Sequence, residues 1–119
     1  MHDADVTWEE GRQICVELGG VIVVPQSEKE LQHLINMCSC QWPWFWIGCN
    51  DIDAEGTWVC LGEGTIDVQD KRWMSGQPDN YKGNQDCAVG RDAGWNDGHC
   101  GNTRKLICQR PVTPALLLL

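Results

Sequence analysis

Eight cysteines in 119 residues constrain this chain more than any other feature. The number is even and the density high. Dense cysteine in a small domain reads as a disulfide framework made in an oxidising compartment, so the expected location is secreted or extracellular. A zinc site fits less well. Cys38-Ser39-Cys40 is a C-x-C rather than a C-x-x-C, and no second pair follows at ribbon spacing. Residues 1–5 show neither the basic nor the apolar region of a secretory leader, so the chain reads as a mature domain. Its length suits one domain. No apolar run approaches the ~20 residues of a membrane span. The formal charge of −8 would repel phosphate backbones, which sets aside nucleic acid and anionic membranes as partners and suits a cation-binding protein.

Local signals divide the chain into a helical first part and a β-rich remainder. Thr7-Trp8-Glu9-Glu10 is a capping box, with a Thr N-cap and Glu three residues on. Trp8, Ile14, Cys15 and Leu18 fall mostly on one helical face, and Gly19-Gly20 stops the helix. Val21 to Val24 is a short β-branched run ended by Pro25. A second capping box, Ser27 to Glu30, precedes Leu31, Leu34, Ile35 and Cys38 at i, i+3, i+4 and i+7. Trp44 to Cys49 then reads as a buried strand, Asp53 to Gly56 as a turn, and Thr57 to Leu61 as the returning strand. Gly62 to Asn84 shows little regular pattern, and a structureless stretch of that length is usually functional. Cys87 to Val89 and Lys105 to Cys108 are further strand candidates, flanking an expected turn at Gly94 to Gly98. The fold class is α+β: two helices first, then small sheets and a long loop.

Taken in order, Thr7-Trp8-Glu9-Glu10 before a helical Cys15, Trp46-Ile47-Gly48, Gln77-Pro78-Asp79, Asp86-Cys87, Trp95-Asn96-Asp97 with Cys100, and Ile107-Cys108 resemble the C-type lectin-like domain from about Val6 to Gln109. None of these tripeptides is specific alone; the ordered set with its cysteines is. The resemblance implies two disulfides, Cys15–Cys108 and Cys87–Cys100. Cys38, Cys40, Cys49 and Cys60 lie outside that pattern. A Cys38–Cys40 ring is disfavoured by disulfide geometry, so Cys38 and Cys40 are each expected to bridge to Cys49 or Cys60, with the choice open. The domain is expected to cover residues 1–110, with a tail at 111–119. Members of the resembled family normally have a strand before the first helix, paired with the last strand. The residues before Thr7 look too few for it, so that strand is expected to be missing and the last strand to present an open edge. The apolar tail Ala115 to Leu119 either covers that edge or lies free.

The chemistry of the second half is oxygen chemistry. Gln77, Asp79, Gln85, Asn96 and Asp97 are oxygen donors on a loop and a turn, and calcium takes about six to eight oxygens from carboxylates and amides alike. Taken singly, Gln77 to Asn80 and Asn96 to Gly98 are also good turn sequences. The resemblance implies that Pro78 is cis and that these five residues form a calcium site whose shell two sugar hydroxyls complete. It implies an auxiliary calcium site at Asp51, Glu55, Asn80 and Asp86, where the alternative is a set of solvated turn residues. One departure stands out. Sugar-binding members usually carry Glu two residues before the loop cysteine, and here Gln85 stands there, so calcium is expected to bind with reduced affinity. The Gln77-Pro78-Asp79 order resembles that of galactose-type rather than mannose-type lectins, and Tyr81 stands where galactose-binding relatives often place an aromatic ring for the sugar's apolar face.

These readings combine into a calcium-dependent lectin for galactose or N-acetylgalactosamine. Host-defence recognition of microbes follows by family analogy only. Single sites of this kind bind weakly, so multivalency is called for, and a homo-oligomer would supply it. The alternative is a calcium-stabilised module of the same fold that binds protein or ice without sugar affinity. An enzyme is not expected: His2, His33 and His99 have no nucleophile pattern beside them, and neither G-x-S-x-G nor H-E-x-x-H occurs.

Overall fold

A computed structural model describes residues 2–38, 44–80, 83–91 and 94–110. Its elements in chain order are β1 (His2–Val6), α1 (Trp8–Glu17), β2 (Val21–Ile22), α2 (Glu28–Cys38), β3 (Phe45–Asn50), β4 (Trp58–Cys60), β5 (Gly64–Ile66), β6 (Cys87–Arg91), β7 (Gly94–Gly98), β8 (Arg104–Leu106) and β9 (Cys108–Gln109). Both helices start where their caps predict. The Thr7 hydroxyl accepts from the Glu10 N–H, and the Glu10 carboxylate accepts from the Thr7 N–H at 2.8 Å. The Ser27 hydroxyl accepts from the Glu30 N–H at 3.2 Å. No helix among the described residues is long and apolar enough to cross a membrane.

β3 is the hub of the sheet. It pairs antiparallel with β4 and β6 and parallel with β8, while β6 carries β7 and β4 carries β5. β3 is buried on both faces, so its alternation serves two cores. Phe45, Ile47 and Cys49 join Val23, Leu31, Leu34, Trp58, Trp73 and Trp95; Trp46 joins Val6, Trp8, Ile22, Val89 and Leu106. Trp8, Trp46, Trp58 and Trp95 are buried. Two of them also satisfy their indole N–H internally: Trp8 Nε1 donates to Ile47 O at 2.9 Å, and Trp46 Nε1 to Val6 O at 2.7 Å. Trp44 is half-buried, with the guanidinium carbons of Arg91 and Arg104 at 4.4 and 5.0 Å from its ring centroid, and Trp42 lies outside the described residues.

Four expectations are corrected. The first strand is present: β1 pairs antiparallel with β8, with His2 opposite Leu106 and Val6 opposite Arg104. Val6 runs directly into the N-cap at Thr7, so no connecting loop is needed. The edge assigned to the tail is thus occupied, and residues 111–119 themselves lie outside the described residues. Second, Cys49 and Cys60 are joined to each other because β3 and β4 pair them in register. Neither is left for Cys38 or Cys40; Cys40 and the side chain of Cys38 lie outside the described residues. Third, Gly94 to Gly98 is a strand rather than a turn, matched residue for residue with β6. Fourth, the stretch from Gly62 to Asn84 contains β5, and Trp73 forms a parallel bridge to Trp95. The implied disulfides Cys15–Cys108 and Cys87–Cys100 are both formed.

Candidate functional site

The long loop is fastened to β7 at two places. At its base, the Trp95 N–H donates to Arg72 O and the Met74 N–H to Trp95 O, both at 2.9 Å. Further along, the Asp97 carboxylate accepts from the Asp79 N–H at 3.1 Å and the Asn80 N–H at 2.6 Å. Between them the Gln77–Pro78 peptide is cis, and Asn80 sits at φ 47° in the left-handed region, which asparagine tolerates better than most residues. The loop thereby brings Asp79 against Asp97, with Gln77 bonded to Asp79 and Asn96 preceding Asp97 on β7.

Two oxygens of this group are buried and accept no hydrogen bond: Gln77 Oε1 and Asn96 Oδ1. The Gln77 amide is oriented by Nε2, which donates to Asp79 Oδ2 at 3.4 Å. A buried acceptor without a donor is costly unless a cation or another donor meets it. These two orphaned amide oxygens, on a residue bonded to Asp79 and on the residue before Asp97, are with those two carboxylates oxygen donors of the kind calcium takes. Asp97 is buried, and that burial raises its carboxyl above the ordinary range against the pull of the Asn80 and Asp79 N–H groups, with the Asp79 carboxyl adding to the rise. Gln85 stands apart in its bonding. Its N–H donates to Asn80 Oδ1 at 3.1 Å, and its Nε2 to Asn84 Oδ1 at 3.2 Å. Tyr81 lies outside the described residues.

The auxiliary group forms where the β3–β4 hairpin meets the end of the loop. The Asp51 N–H donates to Asp86 O at 3.0 Å, drawing the two segments together. One carboxylate oxygen from each of Asp51, Glu55 and Asp86 falls within 4.8 Å of the others. Asp51 Oδ2 accepts from the Gly56 N–H at 2.9 Å, while Asp51 Oδ1 and Asp86 Oδ1 are buried without a partner. Burial pushes the Asp51 carboxyl up to about 7; the Gly56 N–H pulls it down, and Glu55 and Asp86 push it further up. Three crowded carboxyls with orphaned oxygens fit a divalent hard cation, which would relieve both the repulsion and the unmet acceptors. Asn80, the fourth residue implied, has its side-chain oxygen engaged by Gln85.

A half-open cavity of about 500 Å³ is lined by Gln26, Leu31, Asp70, Arg72 and Trp95 among others. None of the predicted calcium ligands lines it. What sequence reasoning missed is the ionic cluster of Glu63, Asp70 and Arg72, the last two of which line this cavity. A signal was present in Asp70-Lys71-Arg72 directly before Trp73, inside a stretch otherwise poor in arginine.

Comparison with known proteins agrees with this architecture. A family model for the lectin C-type domain matches residues 4–110. C-type lectin domain family 4 member M of Symphalangus syndactylus is 32% identical over 113 residues, 94% of this chain and 26% of that protein. The chain spans less than half the length of the curated relatives it matches. Among solved structures, the mouse scavenger receptor C-type lectin carbohydrate-recognition domain superposes with a TM-score of 0.75 at 28% identity, covering 89% of this chain and 83% of that one. The cow CD23 C-type carbohydrate-recognition domain, solved in the presence of a GlcNAc2Man3 oligosaccharide, gives 0.77 at 26% identity, covering 93% and 84%.

Proposed function

This chain belongs to the lectin C-type domain family, a family of non-enzymatic binding domains, and on that premise we propose that it binds galactose-type sugars in a calcium-dependent manner. The observation that carries the reading is the pair of buried, unpartnered oxygens, Gln77 Oε1 and Asn96 Oδ1, beside Asp79 and Asp97. Gln77, Asp79, Asn96 and Asp97 would hold the ion, with Gln85 as a neutral fifth ligand. Bound there, calcium supplies coordination for two neighbouring sugar hydroxyls. The chain's own groups do the rest. The Gln77 and Asn96 amide nitrogens donate to the hydroxyls, and the Asp79 and Asp97 carboxylates accept from them. The order amide first, acid second at Gln77 and Asp79 favours galactose or N-acetylgalactosamine over mannose, and Tyr81 supplies an apolar face for the ring. Asp51, Glu55 and Asp86 would hold a second ion, joining the hairpin to the loop. We place the protein outside the cell, in recognition of microbial or other glycan surfaces, with clustering of copies supplying avidity.

A second reading, a calcium-stabilised protein- or ice-binding module, draws on Gln85, whose side chain is a neutral amide already engaged with Asn84. A glycan array probed in calcium and again in EDTA separates the two. The lectin reading expects signal on terminal galactose or N-acetylgalactosamine that EDTA abolishes. A blank array in calcium favours the second reading, and a mannose preference refutes the specificity.

A further inference from the structure

Arg72 belongs to neither group of predicted calcium ligands, yet it has the most saturated side chain in the described part of the loop. Its Nε and Nη2 donate to Asp70 Oδ1 and Oδ2 at 3.0 and 2.9 Å. Its Nη2 and Nη1 donate to Glu63 Oε2 and Oε1 at 2.7 and 3.1 Å, and Nη1 also reaches Pro25 O at 3.3 Å. The guanidinium carbon stands 4.8 Å from the centroid of the Trp95 ring. One planar group therefore ties together the turn after β4, the loop, the approach to α2 and the strand of the site. Glu63 Oε1 also accepts from Gln26 Nε2 at 2.9 Å.

The main chain of the same residue continues the connection. Arg72 O accepts from Trp95, Met74 donates to Trp95 O, and the Gln77 N–H donates to Met74 O at 2.9 Å. Trp95 directly precedes Asn96, and Gln77 is the first predicted ligand of the loop. None of these bonds uses an ion.

We propose that Arg72 is a positioning residue: through Asp70, Glu63 and Trp95 it holds the base of the loop, residues 70–77, against β7 in the absence of calcium. The ion then has less of the loop to order. The consequence for calcium affinity rests on the reading of Gln77, Asp79, Asn96 and Asp97 as ligands; the ion-free docking does not. An arginine is required because the planar fork meets two carboxylates and stacks on the indole at once, which a lysine ammonium cannot do. The Arg72 side chain is only 13% exposed, so its removal leaves Glu63 and Asp70 facing each other without a counter-charge.

The test is amide hydrogen exchange on the full chain, comparing wild type, Arg72→Met and Arg72→Lys, first in EDTA and then in calcium, with calcium affinity measured by calorimetry. In EDTA the Met74, Gln77 and Trp95 amides of wild type should be protected. Arg72→Met should speed their exchange by at least about tenfold, which is the loss of roughly one or two charge-assisted bonds, and leave β1, β3 and β8 unchanged. Arg72→Lys should recover only part of the protection. Calcium affinity should fall by about the same factor, because the ion must now order the base as well. Exchange at those three amides within twofold of wild type in EDTA overturns the proposal. So does a uniform acceleration that includes β1, β3 and β8, which would mean general stabilisation rather than positioning. Should Arg72→Met fail to fold, Glu63→Gln keeps the acceptor oxygen and should give a smaller acceleration at the same amides; none there overturns the proposal equally. If wild type binds no calcium, the ion-site reading fails, and the EDTA comparison still decides the role of Arg72.

Discussion

Replacing both Cys49 and Cys60 with alanine removes the disulfide that brackets the hairpin carrying Asp51 and Glu55. The two residues are paired across β3 and β4 and are separated by 11 residues. Constraining a loop of that size lowers the entropy of the unfolded chain by an amount worth about 2.8 kcal/mol at room temperature in the chain-entropy model. Both side chains are essentially fully buried, so deleting two sulfurs from the core adds a packing loss to the same side of the balance. For a chain of this length, 1 kcal/mol corresponds to about 4 °C in Tm. The double variant should therefore melt about 11 °C or more below wild type in EDTA, followed by tryptophan fluorescence at fixed scan rate, with the Cys15–Cys108 and Cys87–Cys100 bridges left in place. Calcium should recover less Tm than it does in wild type, because the hairpin presents two of the three auxiliary carboxylates. A Tm within 3 °C of wild type would show that the strand pairing holds the hairpin without the bridge.

Other consequences are open to measurement. Gly48→Ala places a Cβ inside contact distance of the Ile22 carbonyl oxygen and 3.1 Å from Val24 Cγ2, on a strand whose N–H is bonded to Val23 O; overpacking of this kind should cost about 1–3 kcal/mol in chemical denaturation. Gln85→Glu adds a carboxylate to the main group and should tighten calcium roughly tenfold by calorimetry, about 1.4 kcal/mol; unchanged affinity would remove Gln85 from the ligand set. Hydrogen bonds from Arg72 hold the Glu63 and Asp70 carboxyls below their ordinary values of 4.5 and 3.8. Their contribution is complete above those values and lost as pH falls through the lower folded ones, so Tm should drop below about pH 4.5. Arg72→Met should flatten that drop; an equally steep drop in the variant would assign it to other groups.

The helices were legible because their signals are local. Thr7 with Glu10 and Ser27 with Glu30 are contacts within one turn, and the structure shows caps at both places. The runs Trp44 to Cys49 and Cys87 to Val89 were visible as strands, and the structure extends them to Asn50 and Arg91. The misread segments depend on partners distant in sequence. Asn96-Asp97-Gly98 has turn chemistry by itself, and only the ladder with β6 makes it a strand. Residues 2–6 carry no strand pattern; β8 and the Trp46 indole bonded to Val6 O hold them extended. The Cys49–Cys60 pairing follows from hairpin register, which spacing alone leaves open. At the site, the resemblance placed Gln77, Asp79, Asn96 and Asp97 in one group, and hydrogen bonds link three of them, Gln77 to Asp79 and Asp79 to Asp97. The Arg72 cluster escaped because its carboxylates come from two different segments, at Glu63 and Asp70, and its stacking partner from a third, at Trp95.

The central claim is that sugar and calcium share the site built from Gln77, Asp79, Asn96 and Asp97. It is tested most directly by titrating N-acetylgalactosamine into the protein by calorimetry, once in saturating calcium and once in EDTA, with mannose as the parallel ligand. Weak saturable binding of N-acetylgalactosamine in calcium, none in EDTA and weaker or absent binding of mannose is the expected result. Equal binding with and without calcium, or none in saturating calcium, would contradict it.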